Sequence, residues 1–261
     1  MDILEELSAQ RRFDAQEREE TVPFRELEAR IGALPDAPLD FAAAFRGPGL
    51  HVIAELKRAS PSEGMIREDF RPEALATELS RAGASALSVL CEPHRFLGDE
   101  AYLRRVRTLV GIPLLYKDFL TAPYQIAEAR LAGADAVLLI AAVLNDRELG
   151  ALHALARSYG MRALVETHNE REICRAVDLG CEIIGVNCRD LRTFSTDVSL
   201  LEAFLGKISS DRIRIAESGM HTPAALQAAL AAGADGFLVG TALMRAQEPG
   251  RKLKELIGQE Q

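Results

Sequence analysis

Seven glycines divide the chain at nearly even intervals. Gly83, Gly111, Gly133, Gly160, Gly180, Gly206 and Gly233 are separated by 28, 22, 27, 20, 26 and 27 residues, averaging 25. Most follow an amphipathic stretch and precede a short apolar run. A glycine belongs just past a helix C-terminus, because it takes the left-handed backbone that other residues resist. A period of about 25 residues is the length of one strand, one helix and two short loops.

The apolar runs keep the same period. They are His51–Glu55, Ala86–Leu90, Pro113–Tyr116, Ala136–Ala142, Ala163–Val165, Ile183–Val186, Ile213–Ala216 and Gly236–Val239. They are short, rich in Val, Ile and Leu, and lack polar alternation, as strands buried on both faces do. Helical patterns lie between them, such as Pro123–Ala132 and Asp146–Tyr159, and Thr222-Pro223 opens another with a cap residue followed by proline. Strand then helix, eight times over residues 51–261, predicts an α/β fold, a (β/α)8 TIM barrel. A doubly wound open sheet is the alternative. It would carry a Gly-rich phosphate loop after its first strand, where this chain has Glu55-Leu56-Lys57-Arg58.

Residues 1–50 stand outside the rhythm. Ile3–Glu20 is charged and helical in character, Pro23–Ile31 reads as a second short helix, and Pro35, Pro38, Pro48 and Gly49 break the chain before the first strand. So few apolar residues hardly form a core alone. The expectation is a helical extension packed on the barrel, one domain in all.

Composition excludes several classes. Apolar residues make up 48% and charged residues 27%, which is globular rather than disordered or fibrous. A net charge of −8 argues against a nucleic-acid binder, while leaving room for a small anionic substrate held by a few cations. The run Ala136–Leu144 falls short of the about 20 residues of a membrane span. The opening Met1-Asp2-Ile3-Leu4-Glu5-Glu6 is acidic where a signal peptide is basic. Cys91, Cys174, Cys181 and Cys188 form no C-x-x-C pair and fit no zinc spacing, which points to free thiols in a reducing cytoplasm.

In such a barrel the catalytic groups lie at the C-terminal ends of the strands. Ionisable and polar residues recur there: Glu55 and Lys57, Lys117-Asp118, Glu166-Thr167-His168, Asn187-Cys188-Arg189, Glu217-Ser218-Gly219 and Gly240-Thr241. Glu55 and Lys57, two apart on a strand, share a face. Each group has a plain structural reading: a filling salt bridge, a snorkelling lysine, a helix cap. Two lysines and two or three glutamates from four strands, converging on one mouth, outweigh those readings. Ser218-Gly219 and Gly240-Thr241 suit phosphate, which loops after the seventh and eighth strands commonly bind. His168, His51, Asp118 and the cysteines are left as structural.

These residues resemble indole-3-glycerol-phosphate synthase, over nearly the whole chain. The stretch Ile53-Ala54-Glu55-Leu56-Lys57-Arg58-Ala59-Ser60-Pro61-Ser62 is the most family-specific. Leu87–Leu90 with Arg95-Phe96-Leu97-Gly98, Lys117-Asp118-Phe119, Leu164-Val165-Glu166, Gly185–Leu191, Glu217-Ser218-Gly219 and Phe237–Gly240 also match. Tyr116 and Thr241 depart from the usual residues without removing a needed group.

The resemblance implies ring closure, decarboxylation and dehydration of 1-(2-carboxyphenylamino)-1-deoxyribulose 5-phosphate, by acid–base groups without metal or organic cofactor. It makes Lys117 the acid on the developing alkoxide and gives Glu166 a dehydration role assisted by Lys57 or Lys117, with the division of steps open. Glu55 would hold and tune the lysines, and Lys57 would also meet the substrate carboxylate or phosphate. Asn187, Arg189 and Glu217 would contact the substrate, Phe96 would pack on its ring, and Ser60, Ser218, Gly219, Gly240 and Thr241 would surround its anionic groups. A monomer or weak homo-oligomer is expected, without nucleic-acid or membrane partners.

The alternatives are a neighbouring barrel such as phosphoribosylanthranilate isomerase, or a silent barrel that binds a sugar phosphate or a protein. One expectation separates the glutamates. Glu55, paired with Lys57 on its own strand, stays ionised. Glu166, led up to by apolar residues, is freer to raise its pKa.

Overall fold

The computed structural model describes residues 3–189 and 200–259. Met1, Asp2 and the Asp190-Leu191 end of the Gly185–Leu191 motif lie outside the described residues. Eight parallel strands form a closed barrel: β1 (Val52–Leu56), β2 (Ala86–Leu90), β3 (Leu114–Lys117), β4 (Ala136–Ile140), β5 (Arg162–Thr167), β6 (Ile183–Asn187), β7 (Ile213–Glu217) and β8 (Gly236–Val239). They pair in chain order, and β8 returns to β1 with Val52 opposite Phe237. Five of the apolar runs begin where their strands do, β1 and β3 begin one residue after His51 and Pro113, and β5 begins at Arg162, one residue before Ala163.

The lack of polar alternation has a plain cause. Both faces of each strand are covered, and β1, β2 and β4 are buried at every position. Outward-facing Val52, Ala54 and Leu56 share a cluster with Leu75 and Leu79 of helix α3 (Pro72–Arg81). Inward-facing Ile53 joins Leu115, Leu138, Leu164, Ile215 and Leu238 in the barrel interior.

Five of the timing glycines, Gly83, Gly133, Gly160, Gly180 and Gly233, have the expected left-handed backbone, and Gly111 and Gly206 do not. Gly111 lies beyond the cap of the helix Glu100–Arg107, which ends at Thr108. Gly206 continues the preceding helix, its N–H donating to the Glu202 carbonyl at 3.1 Å. Thr222 caps its helix as read, its hydroxyl accepting from Ala225 N at 3.2 Å.

The extension closes both ends of the barrel. Helix α1 (Ile3–Thr21) places Ile3, Leu4 and Leu7 over the mouth. It is held by a buried fork from Arg11 to Asp118, at 3.0 Å (Nε to Oδ1) and 2.6 Å (Nη2 to Oδ2). Helix α2 (Phe24–Gly32) follows. At the other end a short 3-10 turn, Ala42–Phe45, adds Phe41 and Phe45 to the interior cluster, with Phe45 beside His51 just before β1. Among the described residues no helix is long and apolar enough to cross a membrane.

Candidate active site

The strand registers bring the polar strand ends to one level. Glu166 stands opposite Gly185, and Asn187 opposite Glu217. One cavity at the C-terminal mouth is lined by all of Glu55, Lys57, Ser60, Phe96, Lys117, Glu166, Asn187, Arg189, Glu217, Ser218, Gly219, Gly240 and Thr241. Ile3, Leu4 and Leu7 of α1 and Phe119, which the sequence reading did not name as site residues, add to its apolar side.

Two lysine–carboxyl groupings face the cavity. Lys57 Nζ is 2.7 Å from Glu55 Oε2, as their shared strand face requires. Lys117 Nζ lies 3.2 Å from Glu166 Oε2 and 3.6 Å from Glu217 Oε2. Glu166 also accepts from Asn187 Nδ2 at 3.2 Å through Oε1. The Asn187 carbonyl in turn accepts from Ser218 Oγ at 2.8 Å and from Arg189 N at 3.0 Å. Arg189 reaches the loop after β1, donating to Ser62 Oγ at 2.7 Å.

The turn after β7 is strained. Ser218 has φ 64° and Gly219 φ 78°. A non-glycine residue in that region costs about 1–3 kcal/mol and persists where its surroundings over-determine it, as the Ser218–Asn187 bond does here. Gly240 leaves room for the ends of two charged side chains. A Cβ built there would lie 2.1 Å from Glu55 Oε2 and 3.1 Å from Lys57 Nζ. The Glu55–Lys57 pair occupies the space a side chain would fill.

Charge overturns the expectation for Glu166. Burial alone would raise its pKa, but Lys117 and His168 hold it well below the usual carboxylate range. The raised carboxyl is Glu217. Burial and the nearby Glu166 charge push it up to about 8, against the pull of Lys117. Its Oε1 has no hydrogen-bond partner among the described residues. Lys117 would be lowered by burial, yet Glu166, Glu217 and Glu55 carry it above its ordinary value, so it is cationic. Sequence placed three carboxyls at the mouth but not the distances that decide which keeps a proton.

Two residues left as structural divide. Asp118 is one, anchoring α1 through Arg11. His168 is more than that: its ring nitrogens lie 3.2 Å from Glu166 Oε1 and 3.5 Å from Glu172 Oε2. Both nitrogens are buried, and these are ionic contacts rather than aligned hydrogen bonds. Burial opposes its charge, but the two carboxylates raise it to about 10. The only sequence signal was its place two residues beyond Glu166.

A parallel barrel with two half-buried lysines against three buried carboxyls at its C-terminal mouth defines an enzyme of acid–base chemistry. The family model for indole-3-glycerol phosphate synthase matches residues 4–256. The indole-3-glycerol phosphate synthase of Acidithiobacillus ferrooxidans is 43% identical over 259 residues, 98% of each chain. The Streptomyces coelicolor indole-3-glycerol phosphate synthase 2 is 48% identical over 219 residues, 84% of this chain and 85% of that one. The chain belongs to the indole-3-glycerol phosphate synthase family, carboxy-lyases of tryptophan biosynthesis. A solved 3-hexulose-6-phosphate synthase shares the fold, with TM-score 0.64 and 18% identity, over 82% of this chain and 100% of that one. The reaction closes the indole ring of 1-(2-carboxyphenylamino)-1-deoxyribulose 5-phosphate and releases carbon dioxide and water.

Proposed function

We propose that Lys117 is the acid of ring closure, Lys57 the acid of dehydration and Glu166 the base. The observation that carries this is the position of Lys117, cationic and 3.2 Å from an ionised Glu166 at the cavity wall. The ring carbon bearing the carboxylate attacks the ketone, and the carbonyl pair moves to oxygen, which takes the Lys117 proton. Loss of carbon dioxide returns the electron pair to the ring. The hydroxyl departs as water with a proton from Lys57, whose Nζ lies 2.7 Å from Glu55 Oε2. The carbon next to nitrogen gives its proton to Glu166.

A carboxylate held low is a weak base while Lys117 is charged. Once Lys117 has given its proton the larger of the two charges that depressed Glu166 is gone and only His168 still opposes its protonation, so its basicity rises when a base is needed. The proton it collects restores Lys117, and Lys57 is recharged from solvent.

Phe96 and Phe119, with ring centroids 6.2 Å apart, offer the substrate ring a wall. Asn187 and Arg189 take the sugar hydroxyls, Glu217 contacts the substrate, and Ser60, Ser218, Gly219, Gly240 and Thr241, with Lys57 beside them, surround the phosphate and carboxylate. The extension and barrel work as one domain on this reading, since α1 contributes to the cavity. Four cysteines outside any disulfide support a cytoplasmic enzyme, taken as a monomer or weak homo-oligomer on a small anionic substrate. Carbon dioxide and indole absorbance, followed separately at saturating substrate, test the two acids. Lys117→Met should stop both signals, whereas Lys57→Met should release carbon dioxide ahead of indole. Arrest of both variants at the same step overturns the assignment.

A further inference from the structure

Glu92, just beyond β2, is fully buried and takes no part in the chemistry above. Its carboxyl accepts three consecutive backbone N–H groups: His94 through Oε1 at 2.7 Å, and Arg95 and Phe96 through Oε2 at 2.7 and 2.8 Å. Its own carbonyl accepts from Gly98 N at 2.7 Å. One side chain thereby satisfies donors that no helix or strand takes up. The loop it holds is costly. Leu97 has φ 53°, and a Cβ at residue 98 would stand 2.4 Å from the Leu90 carbonyl oxygen. Such a loop persists only when it is over-determined.

The three residues so fixed reach the cavity wall and the helix beside it. Phe96 lines it beside Phe119. His94 Nε2 meets Asp14 Oδ2 at 2.8 Å, and Arg95 Nη2 donates to Glu6 Oε1 at 2.9 Å. Both partners lie on α1, whose Ile3, Leu4 and Leu7 form the rest of the apolar wall.

We propose that Glu92 is a positioning residue for ring recognition, setting the Phe96 wall and the seat of α1 so that ligands bearing the aromatic ring are preferred. This rests on the reading that Phe96 packs against the substrate ring. A carboxyl is needed, since glutamine has one accepting oxygen and would turn an N–H donor toward a backbone N–H. Glu92 acts on the ring and leaves the phosphate end alone.

Two probes separate these ends: indole-3-glycerol phosphate, and glycerol 3-phosphate, which lacks the ring. Their dissociation constants are measured for the native chain, Glu92→Gln, Phe96→Ala and the double variant. Glu92→Gln should weaken the ring-bearing probe by about five- to tenfold, the worth of an aromatic contact, and leave the ring-free probe unchanged. The double variant should be weaker than Phe96→Ala alone by clearly less than the Glu92→Gln factor, since only the part that passes through α1 is left to lose. Equal loss for both probes, or full additivity in the double variant, overturns the role. If Phe96→Ala keeps the native ratio of constants, the reading of Phe96 fails. If Phe96→Ala changes the ratio and Glu92→Gln does not, the role of Glu92 fails. Thermal melts establish that each variant is folded. Glu92→Asp, which withdraws both oxygens by one methylene, carries the same expectation if the glutamine variant does not fold.

Discussion

The carboxyl of Glu217 occupies the space where a side chain at residue 185 would begin: a Cβ built on Gly185 would stand 2.1 Å from Glu217 Oε1. Glycine on β6 is therefore what lets the β7 carboxyl lie across the barrel toward Lys117. Gly185→Ala should displace the flexible end of Glu217 and leave the fold standing, with Leu164 giving a few tenths of an ångström at its 3.3 Å contact. Turnover should fall by about 100-fold, as when a catalytic group is misplaced by about 1 Å. Stability should change little, because alanine gains about 0.5–1 kcal/mol over glycine within a strand. Steady-state kinetics and a thermal melt on one preparation check this, and undiminished turnover would refute it.

Lys117 lies against two buried carboxyls, the ionised Glu166 and the raised Glu217, so Lys117→Met acts on more than the chemistry. Turnover should fall by about 10²–10⁴, the worth of a positioned acid. Glu166 would then be left with the His168 cation alone, and Glu217 would lose the charge of Lys117. Removing one partner of a buried pair costs about 3–5 kcal/mol, and the remaining carboxyls relieve it by taking up a proton. The variant should be less stable than the native chain near neutrality and regain part of the difference as pH falls. Denaturation at several pH values reads this out, and a pH-independent difference would count against the pairing.

The positions of the strands were legible because burial on both faces removes polar alternation and glycines mark the helix ends. The convergence of Glu55, Lys117, Glu166 and Glu217 followed from their places at strand ends, since a closed barrel brings all such ends to one mouth. What escaped were quantities set across the barrel. Glu166 has no charged neighbour on its own strand before His168, and that absence suggested a raised pKa. Lys117, 49 positions away in sequence, decides otherwise. The cover over the mouth escaped for a similar reason. Ile3, Leu4 and Leu7 sit on a highly charged helix whose anchor, Arg11 to Asp118, spans 107 positions.

Glu217 gives the protein a pH-dependent stability of unusual sign for a carboxyl. Its pKa rises from 4.5 to about 8 on folding. Across that window the native state keeps a proton that the unfolded chain has lost. Stability from this group is therefore present below about pH 4.5 and is lost as pH rises toward 8. Glu217→Gln cannot ionise and escapes the loss. Its stability relative to the native chain should climb across the window and level off above it. Urea denaturation on both sides of the window measures the climb, and a flat difference would show that Glu217 titrates normally.

The last prediction concerns His168, which lies outside the cavity lining yet touches Glu166, the proposed base. Glu166 is faced by Lys117 from β3, by Asn187 from β6, by Glu217 from β7, and by His168 from its own side. His168 is faced in turn by Glu166 and by Glu172, whose carboxyl also accepts the His168 backbone N–H at 2.8 Å. Raised to about 10, the imidazolium stays charged through neutrality and, with Lys117, keeps Glu166 ionised. His168→Gln removes the charge and keeps a polar group of similar reach. The Glu166 proton affinity should rise, and the acidic limb of the pH–rate profile should move up by about 1 unit or more. KM should hold, because His168 does not line the cavity. Glu172→Gln should move the limb the same way and less far, since it acts through His168. The stability effect has its own sign. A histidine raised from 6.5 to about 10 contributes fully below about pH 6.5, and the contribution fades as pH rises toward 10. The His168→Gln deficit in stability should therefore be largest in acid and close in alkali. An acidic limb that stays in place while stability falls would make His168 a packing residue only.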